Sequence, residues 1–572
     1  MRGPRSRSLD WLMAALMVTV TLVIPWPALA QDATPAASGE PTKSLTREEF
    51  ETQLQEDLQY SEAATPGGIF IDSATADIQT VHPFLAEEAV SLGIVGFVYE
   101  GLVGGDVRSG QIAPTGLADY WEIAPDNLTY TFHLNKDAKW HDGVDVTAQD
   151  VQFSADALAN PESGSVYTGS FVATIASWRA IDDDTFEMVA KEPVYTFLFD
   201  MQTLFVIPKH IWENVPLADW RTDPGATGAD PSRVVGSGPF KFQEWAQGDS
   251  VTLVRNDDYY GKAPYLDSYV LRIWPDQTAV VNALLNAEID AAGLEPADIA
   301  AVEGAPGIAV AHYPTRSFSY YEFNLDADVT TKWQDKRVRQ ALLYALDRES
   351  IVNDILLGYA EVAQGTQPVI SYAYAPDQIT KTYTYDPEMA TSLLTEAGWT
   401  DSGGDGIVDK DGEALSFELL YSAGSPTTDQ TVAYMQDAWK AIGVDMTPRS
   451  LEFPALIEAT TTNPTFEVAL YGFSWDASFI QDAMFGCDQY QVGFNDMKYC
   501  NEELDAINDE AKRTFDEDAR RELLIEASNI VNDEQPVAVL EFSQAHVGYN
   551  DVLQNYKPST WGVSLSQVWI QQ

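Results

Sequence analysis

Basic residues are scarce in this sequence. Its 572 residues include 33 Lys and Arg against 87 Asp and Glu, so the formal net charge is −54. A surface with this charge repels nucleic acid and favours solubility. We therefore expect no nucleic-acid partner and a solvated acidic shell, with attraction of cationic ligands as the alternative interpretation.

Long apolar runs are missing except near the N terminus. There, three Arg precede an apolar run over residues 12–24, and an Ala-Leu-Ala sequence stands before Gln31. This order is typical of an export signal cleaved after residue 30, and the run is shorter than the ~20 residues that span a bilayer. We expect an exported protein, periplasmic or extracellular and peripheral to the membrane; an uncleaved anchor is the alternative.

Cysteine is limited to Cys487 and Cys500. In an oxidising, exported compartment such a close pair favours a disulfide over a metal or redox site. A loop of this size contributes roughly 3 kcal/mol in the chain-entropy model.

Motifs of common enzyme and metal sites are also absent. The sequence has no G-x-x-x-x-G-K-[ST] phosphate loop, no G-x-S-x-G turn and no H-E-x-x-H helix. Its six His are scattered, and the acidic loop 401–413 lacks the ligand order of an EF-hand. We expect no catalytic residue, no metal and no cofactor; a secreted hydrolase or a structural surface protein are remote alternatives.

The patterns that are present predict a mixed α/β chain. Apolar and polar residues alternate as in strands, or recur at three- and four-residue spacing as in helices. A short helix opens at Thr46 with Glu49 in a capping-box position, and we expect it to pack on the surface or to stay loose. Further elements are predicted as strands at 69–71, 129–134 and 537–542, and as helices at 147–158, 338–346 and 523–531.

Four separated stretches resemble one family, the extracellular solute-binding proteins of family 5, which serve peptide, opine and nickel ABC importers. They span about residues 66–560 in the family's order. The stretches are 130–151, then 236–240 with 255–267, then 337–348, and finally 472–476 with the cysteine pair.

This resemblance implies the fold and the partners. The fold is α/β, a two-lobed periplasmic-binding-protein fold of type II with an inserted subdomain and a hinge, whose crossings lie near 308 and 535. The partners are a small-molecule ligand, an ABC permease and its separate ATPase subunits, and the protein is expected to be a monomer. The implied ranges are a signal peptide at 1–30, a flexible leader at 31–65, lobe I at 66–112, 234–308 and 536–572, its inserted subdomain at 113–233, and lobe II at 309–535.

The resemblance also implies the ligand site. Peptide binders of this family pair the peptide α-amine with an Asp that corresponds here to Asp476, and Phe473 stands at an aromatic position that is usually Trp. Trp475 is expected in a side-chain or sugar pocket, and Tyr167 and Glu87 are expected to line the cleft. The alternative is that Asp476 is an ordinary loop acid, Phe473 a core aromatic residue, Tyr167 a surface contact and Glu87 a solvated charge.

The sequence therefore predicts a binding protein that captures short peptides and closes by hinge motion. An oligosaccharide, an opine or chelated nickel are the alternative ligands, because one scaffold accommodates several functions.

Overall fold

The computed structural model describes residues 41–462, 464–490 and 492–571. The predicted signal peptide and the start of the leader lie outside these residues. Within the described ranges, no helix is both long and apolar enough to cross a membrane.

The described residues form 22 strands and 16 α-helices. The strands are β1 Thr42–Lys43, β2 Ile69–Ala74, β3 Gly104–Gly105, β4 Ile112–Ala113, β5 Ala118–Ile123, β6 Thr129–Leu134, β7 Ile175–Ala180, β8 Thr185–Ala190, β9 Phe240–Ala246, β10 Ser250–Arg255, β11 Ser268–Ile273, β12 Ala291–Gly293, β13 Ile308–Phe323, β14 Ala360–Val362, β15 Asp409–Lys410, β16 Glu413–Ala414, β17 Ser416–Ser422, β18 Asp445–Leu451, β19 Val468–Ser474, β20 Val537–Asn550, β21 Leu553–Gln554 and β22 Trp569–Ile570. The helices are α1 Arg47–Asp57, α2 Ala89–Val98, α3 Ala148–Leu158, α4 Thr168–Thr174, α5 Phe197–Asp200, α6 Lys209–Trp212, α7 Gln277–Leu285, α8 Pro296–Glu303, α9 Lys336–Tyr344, α10 Arg348–Ser350, α11 Pro387–Glu396, α12 Pro426–Ala441, α13 Phe453–Ile457, α14 Asp482–Phe485, α15 Glu502–Arg513 and α16 Glu517–Glu534.

Two sheets share one hydrophobic core, and we name this part lobe I. A four-stranded sheet has the order β2-β11-β10-β9, with β2 parallel to β11, and a five-stranded antiparallel sheet has the order β1-β5-β6-β8-β7. The core runs from Phe70 of β2 through Phe132 of β6 to Phe240 of β9. Strand β6 alternates as predicted, since Tyr130, Phe132 and Leu134 are buried.

The leader helix α1 packs on lobe I. Of the two arrangements that its sequence left open, packing on the surface or staying loose, the structure shows the first. Its predicted capping box is formed, because Thr46 and Glu49 bond each other's backbone. Phe50 and Leu54 are buried against Ala113. The buried Arg47 donates to the carbonyls of residues 114 and 115, so the helix is fixed to the body by both apolar and polar contacts.

A second part, which we name lobe II, surrounds strands β17, β18 and β19. These strands are parallel, and helices α9 and α16 form at their predicted positions. One face of the sheet carries Tyr321 and Leu470 into one core, and the other carries Phe318 and Phe542 into a second core. Lobe II therefore buries its sheet on both faces, as expected for parallel strands.

Two long antiparallel strands, β13 and β20, connect the lobes. Their pairing runs from Ile308 opposite Asn550 to Pro314 opposite Gln544, and resumes with Phe318 opposite Phe542. The first half of β13 and the second half of β20 lie beside β12 and the core of α7 and α8, whereas the second half of β13 pairs with β19. Proline has no N–H to donate, so the ladder breaks at Pro314, and the register shift lies where the strands pass between the lobes.

Candidate functional site

A cavity of ≈ 340 Å³ lies between the two lobes and borders the hinge strand β13. Lobe II contributes residues that follow β19, and lobe I contributes residues around β3, α4 and α5. Its lining consists of Gly105, Asp106, Gly110, Ser170, Phe199, Asp200, Gln202, Thr203, Arg316, Asp476, Ala477, Thr560 and Trp561. Polar groups from both lobes therefore converge on one concave space, which is the usual form of a small-ligand site.

Asp476 lies in this cavity, two residues after the end of β19. Its Oδ1 accepts hydrogen bonds from the backbone N–H of Ser478 at 2.8 Å and from the Ser478 hydroxyl at 2.5 Å. No hydrogen bond reaches Oδ2 from any described residue. One carboxylate oxygen thus holds the loop, and the other is available to a ligand.

Asp200, at the end of α5 in lobe I, faces the same cavity. Burial and then the negative charge of Asp476 raise the pKa of its carboxyl to about 7, and Lys512 acts in the opposite direction. The two acids come from different lobes and are close enough for their charges to interact. At neutral pH both the protonated and the ionised form of Asp200 are therefore populated.

Arg316 is the basic residue of the cavity lining, and its guanidinium is already engaged in contacts with the protein. Its guanidinium donates to the carbonyl of Trp475 at 2.8 Å and lies 5.0 Å from the ring centre of Trp561. Burial lowers the pKa of Arg316, and the charge of Asp476 opposes this shift. No ion pair joins Arg316 to Asp476 or Asp200 among the described residues.

Phe473 and Trp475 lie beside Asp476 but in different environments. The Phe473 ring is half-buried and contacts Phe318 and Phe494, with ring centres 5.8 and 5.3 Å away. The Trp475 ring is only 2% exposed, and its indole N–H donates to the carbonyl of Thr366 at 2.8 Å. Phe473 therefore lies at the edge of the lobe II core, and Trp475 lies inside it.

Glu87 and Tyr167 form a separate pair on lobe I. The Glu87 carboxylate is 3.9 Å from the guanidinium of Arg221. The pKa of Tyr167 is raised by burial and then by the charge of Glu87, so the two side chains are close together. Neither lines the cavity, although Ser170, which does, donates to the carbonyl of Tyr167 at 3.0 Å.

Strand β19 has an open edge next to Asp476. Its partner β17 pairs only with Val468–Leu470, and the register with β17 stops there among the described residues. Gly472 and Ser474, beyond that point, are exposed.

A second cavity of ≈ 190 Å³ borders the same strand end, where Gly472, Ser319 and the buried Glu541 stand in one row across the sheet. Burial raises the pKa of Glu541.

Cys487 and Cys500 form the predicted disulfide. The bridged loop carries Phe494, which contacts Phe473. The disulfide therefore fixes a loop that touches the strand leading to Asp476.

The described residues contain no group of three or more His, Cys, Asp or Glu side chains arranged to hold a metal ion. The acidic loop 401–413 instead forms a hairpin of β15 and β16, with Asp411 and Gly412 at positive φ in the turn.

Of the five predicted site residues, the structure brings Asp476 and Phe473 to the strand end beside the cavity, buries Trp475, and pairs Tyr167 with Glu87 elsewhere. It adds two residues that sequence reasoning missed, Asp200 and Arg316. No local pattern marks Asp200, which follows an apolar run, and Arg316 lies in an unremarkable Pro-Thr-Arg-Ser segment.

Comparison with known proteins identifies the family. Residues 114–491 match "Bacterial extracellular solute-binding proteins, family 5 Middle". The oligopeptide-binding protein AppA of Bacillus subtilis (strain 168) is 30% identical over 454 residues, which are 77% of this chain and 80% of that protein.

Solved structures agree with this result. AppA from Bacillus subtilis in complex with a nonapeptide has a TM-score of 0.75 at 27% identity and covers 89% of this chain and 100% of its own. CtaP from Listeria monocytogenes gives 0.76 at 28% identity, with coverage of 89% and 100%. NikZ from Campylobacter jejuni in complex with Ni(L-His) gives 0.73 at 26%, with coverage of 88% and 99%.

The fold and the interlobe cavity define a two-lobed receptor for a small solute, and the predicted binding-protein fold is confirmed. The chain belongs to the bacterial extracellular solute-binding proteins of family 5. The expectation of an extracytoplasmic binding protein rather than an enzyme is confirmed by this membership.

Proposed function

We propose that this protein is the peptide-binding component of an ABC importer, which captures short peptides between its lobes and delivers them to a membrane permease. The observation that carries the proposal is the position of Asp476: its free carboxylate oxygen lies in the interlobe cavity beside the open edge of β19. AppA, which is similar over most of the chain, is named an oligopeptide-binding protein and was solved with a nonapeptide.

The geometry suits a peptide with a free amino terminus. Asp476 is exposed in this structure, and a charge-assisted hydrogen bond between an ammonium group and its carboxylate becomes strong when the lobes close over the ligand and exclude water. Beyond Leu470 the edge of β19 that faces away from β13 is unpaired, and it offers backbone donors and acceptors to an extended chain, in the manner of an added strand. Backbone recognition of this kind accepts many sequences.

We include export, the monomeric state, the importer subunits and the lobe boundaries in this proposal. Residues 1–30 direct export and are removed, and the protein acts as a monomer in the periplasm or outside the cell. A permease and separate ATPase subunits complete the importer. Lobe I comprises 66–112, 234–308 and 536–572 with its insertion at 113–233, and lobe II comprises 309–535, as the sequence predicts.

A thermal-shift screen tests the ligand class. The purified protein is heated with pools of free-amine peptides of two to eight residues, with cello- and malto-oligosaccharides, with opines, and with nickel in the presence and absence of chelators such as histidine. Ligand at about 1,000 times its Kd stabilises the folded state by roughly 4 kcal/mol. We expect a shift with the peptide pool; a shift with sugars, opines or nickel alone contradicts the proposal.

Asp476→Asn tests the amine contact. Asn keeps an oxygen acceptor for the two Ser478 bonds, so the loop is retained while the charge is lost. We expect the Kd for the peptide pool to rise by more than about tenfold, since a hydrogen bond to a charged group contributes about 1.5–3 kcal/mol. Asp219→Asn removes the same charge from an exposed position away from the cavity and serves as the control. Unchanged peptide binding by Asp476→Asn in calorimetry disproves the amine contact.

A further inference from the structure

Asp200 is a carboxyl group without a partner in the interlobe cavity. No described residue donates a hydrogen bond to it or forms an ion pair with it. Asp200 is partly buried and its residue lines the cavity, where the lack of a donor or a cation disfavours the charged form. The carboxyl is therefore free to accept a hydrogen bond from a ligand in the cavity.

Packing and backbone hydrogen bonds hold helix α5, and with it the backbone of Asp200, in place. Helix α5 begins with Phe197, which is fully buried and stacks on Tyr130 with ring centres 4.3 Å apart. The backbone N–H of Asp200 donates to the carbonyl of Thr196, and its carbonyl accepts from the Thr203 hydroxyl at 2.8 Å. Asp200 is thus presented to the cavity by an anchored element.

The charged neighbours of Asp200 are occupied by other partners. Lys512 of α15 binds Asp482 at 2.5 Å, and Arg316 of β13 is held by the carbonyl of Trp475. Asp106, the third acid of the cavity, is bound by Arg108 in several hydrogen bonds. Asp476, across the cavity, also has a free oxygen.

The charged groups that line the cavity leave a net negative charge when both acids are ionised. Arg108 pairs with Asp106 and also with Asp57, and Lys512 pairs with Asp482. Among the described residues that line the cavity, the charged groups without an ion pair are Arg316, Asp476 and Asp200. With both acids ionised, one positive charge stands against two negative charges, which leaves a net charge of −1. A single ammonium group neutralises this sum, and its three N–H groups are enough to serve two carboxylates.

We propose that Asp200 is a second ligand-binding carboxylate, which holds the same ammonium group as Asp476 from the opposite lobe. The inference rests on the proposed function, because it assigns the second contact of the amine that Asp476 binds. The ligand amine then bridges lobe I and lobe II, so it selects ligands with a free amino group and also joins the two lobes.

Binding should release a proton. In the free protein burial and the charge of Asp476 hold the pKa of Asp200 at about 7, opposed by Lys512, and the ammonium group requires the ionised form. Below pH 7 part of the protein must lose a proton before it can bind, so the apparent Kd rises as pH falls. The ionised fraction of Asp200 grows about tenfold between pH 6 and pH 8, but the peptide α-amine, with a pKa of about 8, loses about half of its ammonium form over the same range, so the Kd should fall by about fivefold.

The test is calorimetric titration at pH 6, 7 and 8 of the wild-type protein, Asp200→Asn, Asp476→Asn and the control Asp219→Asn. The probes are a pool of free-amine tri- to nonapeptides and the same pool after N-acetylation. We expect wild type and Asp219→Asn to bind the free-amine pool about fivefold more tightly at pH 8 than at pH 6. Asp200→Asn should bind at least about fivefold more weakly than wild type at pH 8 and should show no gain in affinity from pH 6 to pH 8. The acetylated pool should not bind.

The outcomes separate the two proposals. If wild type binds the free-amine pool and Asp200→Asn matches it in affinity and pH dependence, the role of Asp200 is wrong while the peptide receptor stands. If wild type binds neither pool, the proposed function fails, and this inference fails with it. Circular dichroism and thermal unfolding of Asp200→Asn confirm that a weakened variant is folded.

Discussion

Gly236 lies where two backbones approach closely. A Cβ at this position would be 1.8 Å from the carbonyl oxygen of Val98, at the end of α2, and 2.6 Å from its carbonyl carbon. Neither atom is the end of a flexible side chain, so a methyl group must push α2 away from the segment that leads into β9. The close approach of the two backbones is the reason for glycine at this position.

Gly236→Ala should therefore destabilise lobe I. Overpacking of this kind costs about 1–3 kcal/mol and occasionally more, and we expect a lower melting temperature in differential scanning calorimetry. Gly93→Ala in α2 is the control, because nothing lies within 4 Å of its added Cβ and alanine favours a helix. Equal melting temperatures for the two variants contradict the packing argument.

The residues of the interlobe cavity were only partly predictable for a physical reason. Asp476 belongs to a short motif whose spacing is visible in the sequence. Its neighbours in the cavity, Asp200 and Arg316, are separated from it by more than a hundred residues and meet it only because β13 pairs with β19 and the lobes face each other. Trp475 shows the converse, since a position in the motif does not tell whether its ring points into the cavity or the core.

Among the elements, the disulfide loop offers a direct test of stability. Cys487 and Cys500 are 13 residues apart, and closing such a loop stabilises the folded state by about 3 kcal/mol in the chain-entropy model. The double variant Cys487→Ser, Cys500→Ser should melt at a lower temperature than the oxidised protein. Reductant should lower the melting temperature of the wild type to that of the variant and leave the variant unchanged; equal melting of the oxidised protein and the variant contradicts the expectation.

Local signals predicted several elements well. The capping box at Thr46 marks the start of α1, the helix predicted at 147–158 corresponds to α3, and the alternation at 129–134 marks β6. Strand β20 was predicted only over 537–542, whereas it continues to Asn550. Its second half is less buried and pairs with β13 and β12, so its strand character depends on distant partners rather than on a local apolar pattern.

At the scale of the whole molecule, the lobes meet outside the cavity through α15 and α16. The backbone N–H of Tyr195 in lobe I donates to the carbonyl of Lys512 at 2.7 Å, and Glu192 pairs with Arg513 at 3.0 Å. The buried guanidinium of Arg520 lies 3.4 Å from the ring centre of Tyr195. These contacts and the two hinge strands β13 and β20 connect the lobes, so a closing motion must change the contacts and bend the strands.

The central claim is that a peptide amine draws the two lobes together. The measurement that tests it most directly is small-angle scattering of the purified protein, alone and with saturating free-amine peptide pool, with the N-acetylated pool as the control. The account predicts that the free-amine pool lowers the radius of gyration and that the acetylated pool does not. A radius of gyration that stays constant while calorimetry shows the free-amine peptides bound contradicts it.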